Sequence, residues 1–384
     1  MPRISNALIR HARSIDKLLP PLLRPCRELR AAQNELRWLR EHAAKVASTR
    51  NAKVRDTLLR NLVLERAKGK PLQYLLGSEY FGDLQITCRP GVLIPRQETA
   101  ASVAYLARLV RQAEELPPEL RVLDLCTGTG CIPLLFHDEL AATRKDVRSR
   151  YLGIDISRDA VHLAHYNLQK VWRQKAYADK SVTAFVQADV LIDPFDDQNA
   201  GMPCFKAALN HYRQPPFWDI LISNPPYISP SGYWSTTTRS VRLFEPELAL
   251  LPPPNPDASD TERGDVFYPR LLSIAQHVEA KVVLLEVADL DQAHRVARLA
   301  QDADFFDGIE VWRDWPDQPN DAEPVELDGF PVIGQGNGRY VLCWRAQGAP
   351  WLGKDVVAKA ETEPLSHYSL QPTFIYRPPS KIPL

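Results

Sequence analysis

The sequence predicts an α/β protein in which a small helical domain precedes a mostly parallel β-sheet covered by helices on both faces. Two patterns carry this prediction. Residues 26 to 68 place apolar side chains at spacings of three and four, as amphipathic helices do. From residue 121 onward, short strands of buried type alternate with helical segments, and this alternation is typical of parallel sheets.

The composition limits the kinds of protein this chain can be. Its 384 residues are 45% hydrophobic and 24% charged, enough for a substantial core in one large or two ordinary domains. The 47 lysines and arginines equal the 47 aspartates and glutamates in number. This balance disfavours a protein that binds nucleic acid by neutralising its phosphates. The six cysteines form no C-x-x-C pair, so we expect no metal site. No apolar run approaches the roughly 20 residues of a membrane span.

The first 30 residues are basic. Seven lysines and arginines face only two acids there, a composition that resembles an organellar targeting segment. We therefore expect a basic leader over residues 1–24 and a mitochondrial location, with a cytoplasmic location as the alternative. A basic first helix of the folded domain would give the same composition, and the two interpretations can overlap.

The helical domain is predicted over residues 25–70, with the polar segment 48–53 between two amphipathic runs. Residues 71–100 contain short extended pieces and turns, which indicate a hairpin-like linker. Buried strands are predicted at 121–125, 151–156, 182–190, 218–224 and 281–287. The segments 308–315 and 338–345 are predicted to form an antiparallel pair. Residues 196–217 and 252–264 read as surface insertions, and 347–384 reads as a loosely packed, proline-rich tail.

Three acids stand at the ends of successive predicted strands, namely Asp124, Asp155 and Asp189. Gly128 and Gly130 follow the first of them and allow a tight turn at the sheet edge where open α/β sheets bind ligands. Because this turn lacks the G-x-G-x-x-G spacing of a pyrophosphate loop, it suits a ligand with a cationic amine. An ammonium, a ribose and an adenine would match the three acids in order, so we predict S-adenosylmethionine as the cofactor.

The fourth predicted strand ends in Asn224, Pro225, Pro226 and Tyr227. The two prolines contribute no backbone N–H and stiffen the loop, which leaves hydrogen-bond acceptors. Such an array suits a planar –NH2 group, and an aromatic ring offers it a face to stack on. The pattern predicts methylation of a conjugated nitrogen, in which acceptors push electron density back onto the nitrogen and aim it at the methyl group.

These motifs resemble the HemK-type protein-glutamine N-methyltransferases, which modify the Gly-Gly-Gln motif of peptide-chain release factors. The resemblance spans roughly residues 25 to 345. It rests on "KPLQYLLGSEYFG" (70–82), "VLIPRQET" (92–99), "DLCTGTG" (124–130), "GIDIS" (153–157), "SNPPYI" (223–228), "FEPELAL" (244–250) and "GRYVLCW" (338–344). The basic leader favours the mitochondrial, fungal-type enzyme within this family.

The resemblance implies a Rossmann-like methyltransferase domain over residues 101–346, with a seven-stranded sheet whose C-terminal strand is antiparallel. It also implies that the helical domain docks a release factor. We expect a monomer, and the composition and charge lead us to expect that neither a membrane nor a nucleic acid is bound directly. The implied cofactor residues are Asp124, Cys126, Thr127, Gly128, Thr129, Gly130, Asp155, Asp189, Val190 and Asn224. The implied substrate residues are Asn224, Pro225, Pro226, Tyr227, Arg96 and Glu98, with Asn224, Pro225 and Tyr227 as the catalytic ones.

Two alternatives stay open. An adenine-N6 methyltransferase of DNA or RNA would present the same kind of –NH2 group, flipped onto Tyr227. The zero net charge and the segments "PLQYLLG" and "IPRQET" count against it. The second alternative is a cofactor-binding scaffold without activity, and the intact N-P-P-Y loop disfavours it.

Overall fold

The structure is a computed structural model that describes residues 3–175, 177, 181–192, 201–320, 323 and 325–355. Two structural regions follow one another along the chain, a bundle of helices and a large sheet flanked by helices. No described helix combines the length and apolar character needed to cross a bilayer.

The N-terminal region is a bundle of short helices around its own apolar core. Its helices are α1 (Asn6–Ile15), α2 (Leu19–Cys26), α3 (Leu29–Val46), α4 (Ala52–Ala67) and α5 (Leu72–Leu76). Leu22, Leu36 and Leu39 are fully or almost fully buried in this core. The helices predicted on either side of the polar segment 48–53 are α3 and α4. The described part of the predicted leader is helical, since it contains α1 and most of α2.

A hairpin and one long helix lead into the sheet. Strands β1 (Ser78–Phe81) and β2 (Leu84–Thr87) pair in antiparallel fashion within the segment predicted as a hairpin-like linker. Helix α6 (Gln97–Gln112) follows them. The loop between β2 and α6 carries the segment "IPRQ", which thereby reaches the edge of the sheet.

The sheet has nine strands in the order β5-β4-β3-β6-β7-β11-β8-β10-β9. Their bounds are β3 (Glu119–Leu125), β4 (Arg148–Asp155), β5 (Val182–Gln187), β6 (Ile220–Ser223), β7 (Val282–Glu286), β8 (Gly308–Trp315), β9 (Glu326–Leu327), β10 (Phe330–Ile333) and β11 (Gln335–Trp344). Strands β3 to β7 are mutually parallel, and β11 runs antiparallel between β7 and β8. The five predicted parallel strands and the antiparallel pair are confirmed.

The sheet is larger than the seven strands expected, because β9 and β10 extend it beyond β8. These strands have two and four residues, too few for an alternating pattern to be recognised in the sequence.

Helices cover both faces of the sheet. They are α7 (Cys131–Ala141), α8 (Arg158–Lys175), α9 (Phe205–His211), α10 (Pro230–Ser235), α11 (Arg239–Phe244), α12 (Asp260–Asp265), α13 (Phe267–His277), α14 (Leu290–Asp302) and α15 (Gly348–Trp351), with a 3-10 turn at Glu247–Ala249. Along β3, Leu123 and Leu125 join the core that includes α13 and α14, whereas Val122 joins the core that includes α6 and α7. Burial on both faces explains why the parallel strands read as continuous apolar runs.

Two peripheral expectations need correction. The segment 196–217 is not wholly a surface insertion, because Phe205 and Leu209 of α9 are buried in the main core. Residues 193–200 lie outside the described residues. The predicted tail is not loosely packed at its start, since Trp351 and Leu352 are buried against the other core. The rest of that tail, 356–384, lies outside the described residues.

Candidate active site

A pocket opens at the carboxyl ends of β3, β4 and β6 and just beyond β5, where parallel sheets bind ligands. Many of the residues predicted as functional line it, drawn from four strand ends and from the loop before α6. They are Arg96, Cys126, Thr127, Gly128, Thr129, Asp155, Asp189, Val190, Asn224 and Pro226. The predicted residues Glu98, Asp124, Gly130, Pro225 and Tyr227 do not line it.

The glycine turn after β3 contains three residues in a left-handed conformation and is hydrogen-bonded to the end of β4. Cys126, Gly128 and Gly130 have φ angles of 64°, 54° and 76°. The Gly128 N–H donates to Oδ2 of Asp155 over 2.8 Å. A Cβ at Gly130 would come within 2.7 Å of the Phe185 ring, so the absence of a side chain here permits the packing of the turn. Gly130 was predicted to contact the cofactor, but it does not line the pocket.

Asp124 lies beneath the turn and is fully buried. The Thr127 hydroxyl donates to one of its oxygens, while the other, Oδ1, has no hydrogen-bond partner in the part of the chain that the structure describes. Burial raises the pKa of this carboxyl well above its usual range, and the Thr127 hydrogen bond acts in the opposite direction. Asp124 does not line the pocket, and its predicted contact with the cofactor stays a prediction.

Asp155 and Asp189 do face the pocket. Asp155 accepts the N–H groups of Gly128 and Ser157, each over 2.8 Å, and burial raises its pKa in spite of these bonds. Oδ1 of Asp189 accepts the N–H of Leu191 over 2.8 Å. Each carboxylate oxygen can accept a second hydrogen bond, so both acids can still take ribose or adenine donors.

The lining fits S-adenosylmethionine. Gly128 presents backbone without a side chain, and a Cβ built there would meet nothing within 4 Å. Two acids line the pocket beside apolar groups from Ile154, Ala188 and Val190, as a ribose and an adenine require. Among the described residues, no group of three or more His, Cys, Asp or Glu side chains is placed to hold a metal ion.

The loop after β6 is anchored through its backbone. The Ile228 N–H donates to the carbonyl of Leu250 over 3.0 Å, and Nε2 of Gln292 donates to the carbonyl of Tyr227 over 3.2 Å. The Asn224 side chain lines the pocket and makes no hydrogen bond to any residue that the structure describes. Its amide is thus available to a ligand on a loop that is already fixed.

Tyr227 packs half-buried against the main core and does not line the pocket, so its predicted stacking against the substrate stays a prediction. Its hydroxyl donates to Oε1 of Glu286 over 3.1 Å. Oε2 of Glu286 accepts the hydroxyls of Thr99 and Tyr340, each over 2.7 Å. Burial raises the pKa of Glu286, and the three hydroxyl donors and the nearby Arg339 oppose that rise. One buried carboxyl therefore joins α6, β11 and the loop after β6.

Arg96 forms an ion pair with Glu245, a residue that follows the N-P-P-Y loop in the chain. Its Nη2 lies 2.8 and 2.9 Å from the two oxygens of Glu245, and the Ile94 N–H donates to the same carboxylate over 3.1 Å. Burial lowers the pKa of Arg96 while the Glu245 carboxylate raises it, and the net change is upward. The Glu98 side chain, by contrast, makes no hydrogen bond or ion pair with the described residues. Glu245 therefore holds the segment that carries Arg96.

Four residues that build the site were not predicted from the sequence, namely Thr99, Glu245, Glu286 and Tyr340. Glu286 has a local signal, because it ends β7 in the same way that Asp155 ends β4. The hydroxyl donors gave no such signal, because Thr99 lies 187 residues from Glu286.

The fold and the site define an S-adenosylmethionine-dependent methyltransferase. The mitochondrial MRF1 N(5)-glutamine methyltransferase MTQ1 of Saccharomyces cerevisiae is 35% identical over 255 residues, which cover 65% of this chain and 68% of that protein. The protein named "Probable MRF1 mitochondrial N(5)-glutamine methyltransferase mtq1" of Schizosaccharomyces pombe is 31% identical, over 81% of this chain and 92% of its own length. This chain belongs to the N(5)-glutamine methyltransferase family.

Bacterial and structural comparisons are weaker. The release factor glutamine methyltransferase of Chlorobaculum tepidum is 33% identical over 49% of this chain and 55% of that protein. A solved S-adenosylmethionine-dependent methyltransferase from Agrobacterium tumefaciens aligns with a TM-score of 0.34 at 16% identity, over 70% of this chain and 67% of that one. That score is too low to support a conclusion. No family model matches the chain.

Proposed function

We propose that this protein methylates the side-chain amide of the glutamine in the Gly-Gly-Gln motif of a peptide-chain release factor, using S-adenosylmethionine. The observation that carries the proposal is the Asn224 side chain, which lines the cofactor pocket without a hydrogen bond to any described residue. The printed names of the yeast and bacterial relatives support the choice of glutamine and of a release factor.

The proposed chemistry needs positioning more than a strong base. S-adenosylmethionine supplies a methyl group on a positively charged sulfur. The Asn224 oxygen and neighbouring carbonyls accept both N–H bonds of the substrate amide, which weakens its resonance and turns the nitrogen toward the methyl carbon. Alignment at about 3–3.5 Å would supply much of the rate enhancement. The nitrogen would gain the methyl group as the sulfur–methyl bond breaks, neutral S-adenosylhomocysteine would leave, and the nitrogen would release one proton to water.

The proposed roles of the other predicted residues follow from their places in the structure. Asp155 would hold the ribose, and Asp189 with Val190 would flank the adenine, since all three line the pocket. Pro225 and Pro226 would keep the loop rigid and free of N–H donors. We assign Tyr227 and Arg96 positioning roles, because each is held by a buried glutamate at the edge of the site.

The helical domain is proposed to dock the release factor, and its charge supports this. Residues 1–70 contain 17 lysines and arginines against 6 aspartates and glutamates, whereas the remaining residues contain 30 against 41. Four of the six acids are already paired with arginine or lysine, as in Arg66–Glu35 and Lys68–Glu65. The zero net charge of the chain is therefore the sum of a basic docking domain and an acidic catalytic domain, and the former would attract an acidic surface.

A mitochondrial location is proposed from the basic leader and from the mitochondrial names of both yeast relatives. We propose that the substrate there is a protein and not a nucleic acid. Tight, salt-sensitive binding of duplex DNA or RNA would instead support the adenine-N6 alternative.

The test compares two release factors that differ at one position, glutamine in one and glutamate in the other. We expect methyl transfer to the glutamine form alone, because a carboxylate brings no donors and is repelled by the carbonyls of the loop. Equal transfer to both forms would overturn the acceptor argument. A duplex containing adenine serves as the nucleic-acid control.

A further inference from the structure

A second pocket adjoins the first on the side where the chain leaves the N-P-P-Y loop. It lies among α10, α11 and the 3-10 turn, and its lining includes Trp234, Arg239, Leu243, Glu247 and Leu251. Leu251 lines both pockets, and so forms a shared wall between them. The second pocket is therefore a neighbour of the pocket that Asn224 lines.

Its apolar side chains are unusually exposed. Trp234 is 73% exposed and Leu243 is 55% exposed. Leu248, which lines the first pocket, is also 55% exposed. Removing apolar surface from water is favourable by about 25 cal/mol for each Å², so covering these grouped side chains would stabilise a complex. This grouping indicates a surface that a partner covers.

The pocket is rigid before any partner binds. Thr238 caps α11 through the Val241 N–H, and Ser229 caps α10 through the Gly232 N–H. The Arg242 guanidinium lies 5.6 Å from the centre of the Trp234 ring, and its Nη1 donates to the Trp234 carbonyl over 3.2 Å. The tryptophan is thus held from one side by a cation–π contact.

Two opposite charges at the pocket have no partner among the described residues. The side chains of Arg239 and Glu247 are exposed and make no hydrogen bond or ion pair with any residue that the structure describes. A guanidinium can donate to a peptide carbonyl, and a carboxylate can accept from a peptide N–H. The exposed apolar side chains could therefore contact one apolar side chain of a partner, while Arg239 and Glu247 bind the peptide groups next to it.

We propose that the second pocket is a substrate subsite that binds an apolar residue flanking the methylated glutamine. This inference rests on the proposed function. The apolar side chain packs on Trp234 and Leu243, and its peptide groups pair with Arg239 and Glu247. An extended peptide advances about 3.3–3.6 Å per residue, so residues near the glutamine extend from the first pocket into its neighbour. The subsite thereby selects the sequence around the target.

The kinetic test uses the full-length enzyme with an intact release factor. We expect Trp234→Ala to raise KM for the factor about tenfold or more, as loss of a central tryptophan does at interfaces, with kcat and cofactor affinity unchanged. Leu243→Asn should act in the same direction. The matched control is Trp315→Ala, since Trp315 is 43% exposed on β8 and lines neither pocket. It should leave KM unchanged.

The mapping test places a photoreactive benzoyl-phenylalanine at position 234. We expect cross-links to release-factor residues within a few positions of the glutamine. An unchanged KM in both variants, or cross-links only to remote parts of the factor, would overturn the subsite. So would Trp234-dependent binding of a single-stranded oligonucleotide, which would assign the pocket to a nucleobase. A wild-type enzyme that transfers no methyl to the factor would instead remove the proposed function.

Discussion

The hydroxyl of Tyr227 donates a hydrogen bond of 3.1 Å to Glu286, a buried carboxyl at the end of β7. Glu286 also accepts from Thr99 and Tyr340, which come from α6 and β11. Since the same loop carries Asn224 into the pocket, this carboxyl fixes the position of the proposed catalytic amide without touching the substrate. Hydrogen bonds to a charged acceptor are worth about 1.5–3 kcal/mol each, which is enough to hold a loop.

We expect Glu286→Gln to lower kcat by about 10- to 100-fold, because a displaced loop misaligns Asn224. Cofactor affinity should be unchanged, since Glu286 does not line the pocket. Steady-state kinetics and calorimetry with S-adenosylmethionine measure the two effects. Tyr227→Phe should produce a similar loss, and combining the two substitutions should add little to either. Strictly additive losses would show that Glu286 and Tyr227 act independently.

Asn224→Ala should abolish methyl transfer and leave cofactor binding nearly intact. The reason is that the other pocket residues, including Asp155 and Asp189, hold the cofactor from different strands. Calorimetry with S-adenosylmethionine and single-turnover transfer to the release factor separate the two steps. A large loss of cofactor affinity in Asn224→Ala would contradict the role we assign to this residue.

The buried carboxyl of Asp124 predicts a pH dependence of stability. Burial raises its pKa in the folded state above the ordinary value near 3.9, so between the two pKa values the folded protein keeps a proton that the unfolded chain loses. The unfolding free energy of the wild type should therefore fall as pH rises through that window. Asp124→Asn should reduce this slope, as measured by urea unfolding at several pH values. The buried Asp155 and Glu286, whose pKa values are also raised, should supply the remaining slope.

The exposed Asp146 is the matched control for that experiment. The hydrogen bond from Arg144 lowers the pKa of Asp146, so its small contribution to stability is lost as pH falls. Asp146→Asn should change the pH dependence slightly and in the opposite direction. If Asp124→Asn left the slope as it is in the wild type, another buried acid would have to be its source.

Cys126→Gly should stabilise the fold, by up to about 1 kcal/mol. Cys126 has a φ of 64°, a left-handed conformation that costs a residue with a Cβ and costs glycine little. Chemical denaturation measures the change. Cys126→Ala is the control, because it keeps the Cβ and loses the sulfur, and it should not stabilise. A less stable glycine variant would mean that packing of the sulfur outweighs the backbone strain.

The sequence predicted the catalytic sheet well because its signals are local. Buried parallel strands are continuous apolar runs, and Asp155, Asp189 and Asn224 stand at the ends of such runs, so their meeting at one edge follows from topology. Contacts between distant segments gave no comparable signal. The pairing of Arg96 with Glu245 joins residues 149 positions apart, and no local pattern predicted it. The full burial of Asp124 likewise depends on packing between distant segments.

The most direct test of the account is tandem mass spectrometry of a mitochondrial release factor after incubation with this protein and S-adenosylmethionine. The account predicts a gain of one methyl group, located on the glutamine side chain of Gly-Gly-Gln, and no gain with Asn224→Ala. An unmodified glutamine in the presence of active wild-type protein, with methylated adenine in a nucleic-acid control, would contradict it.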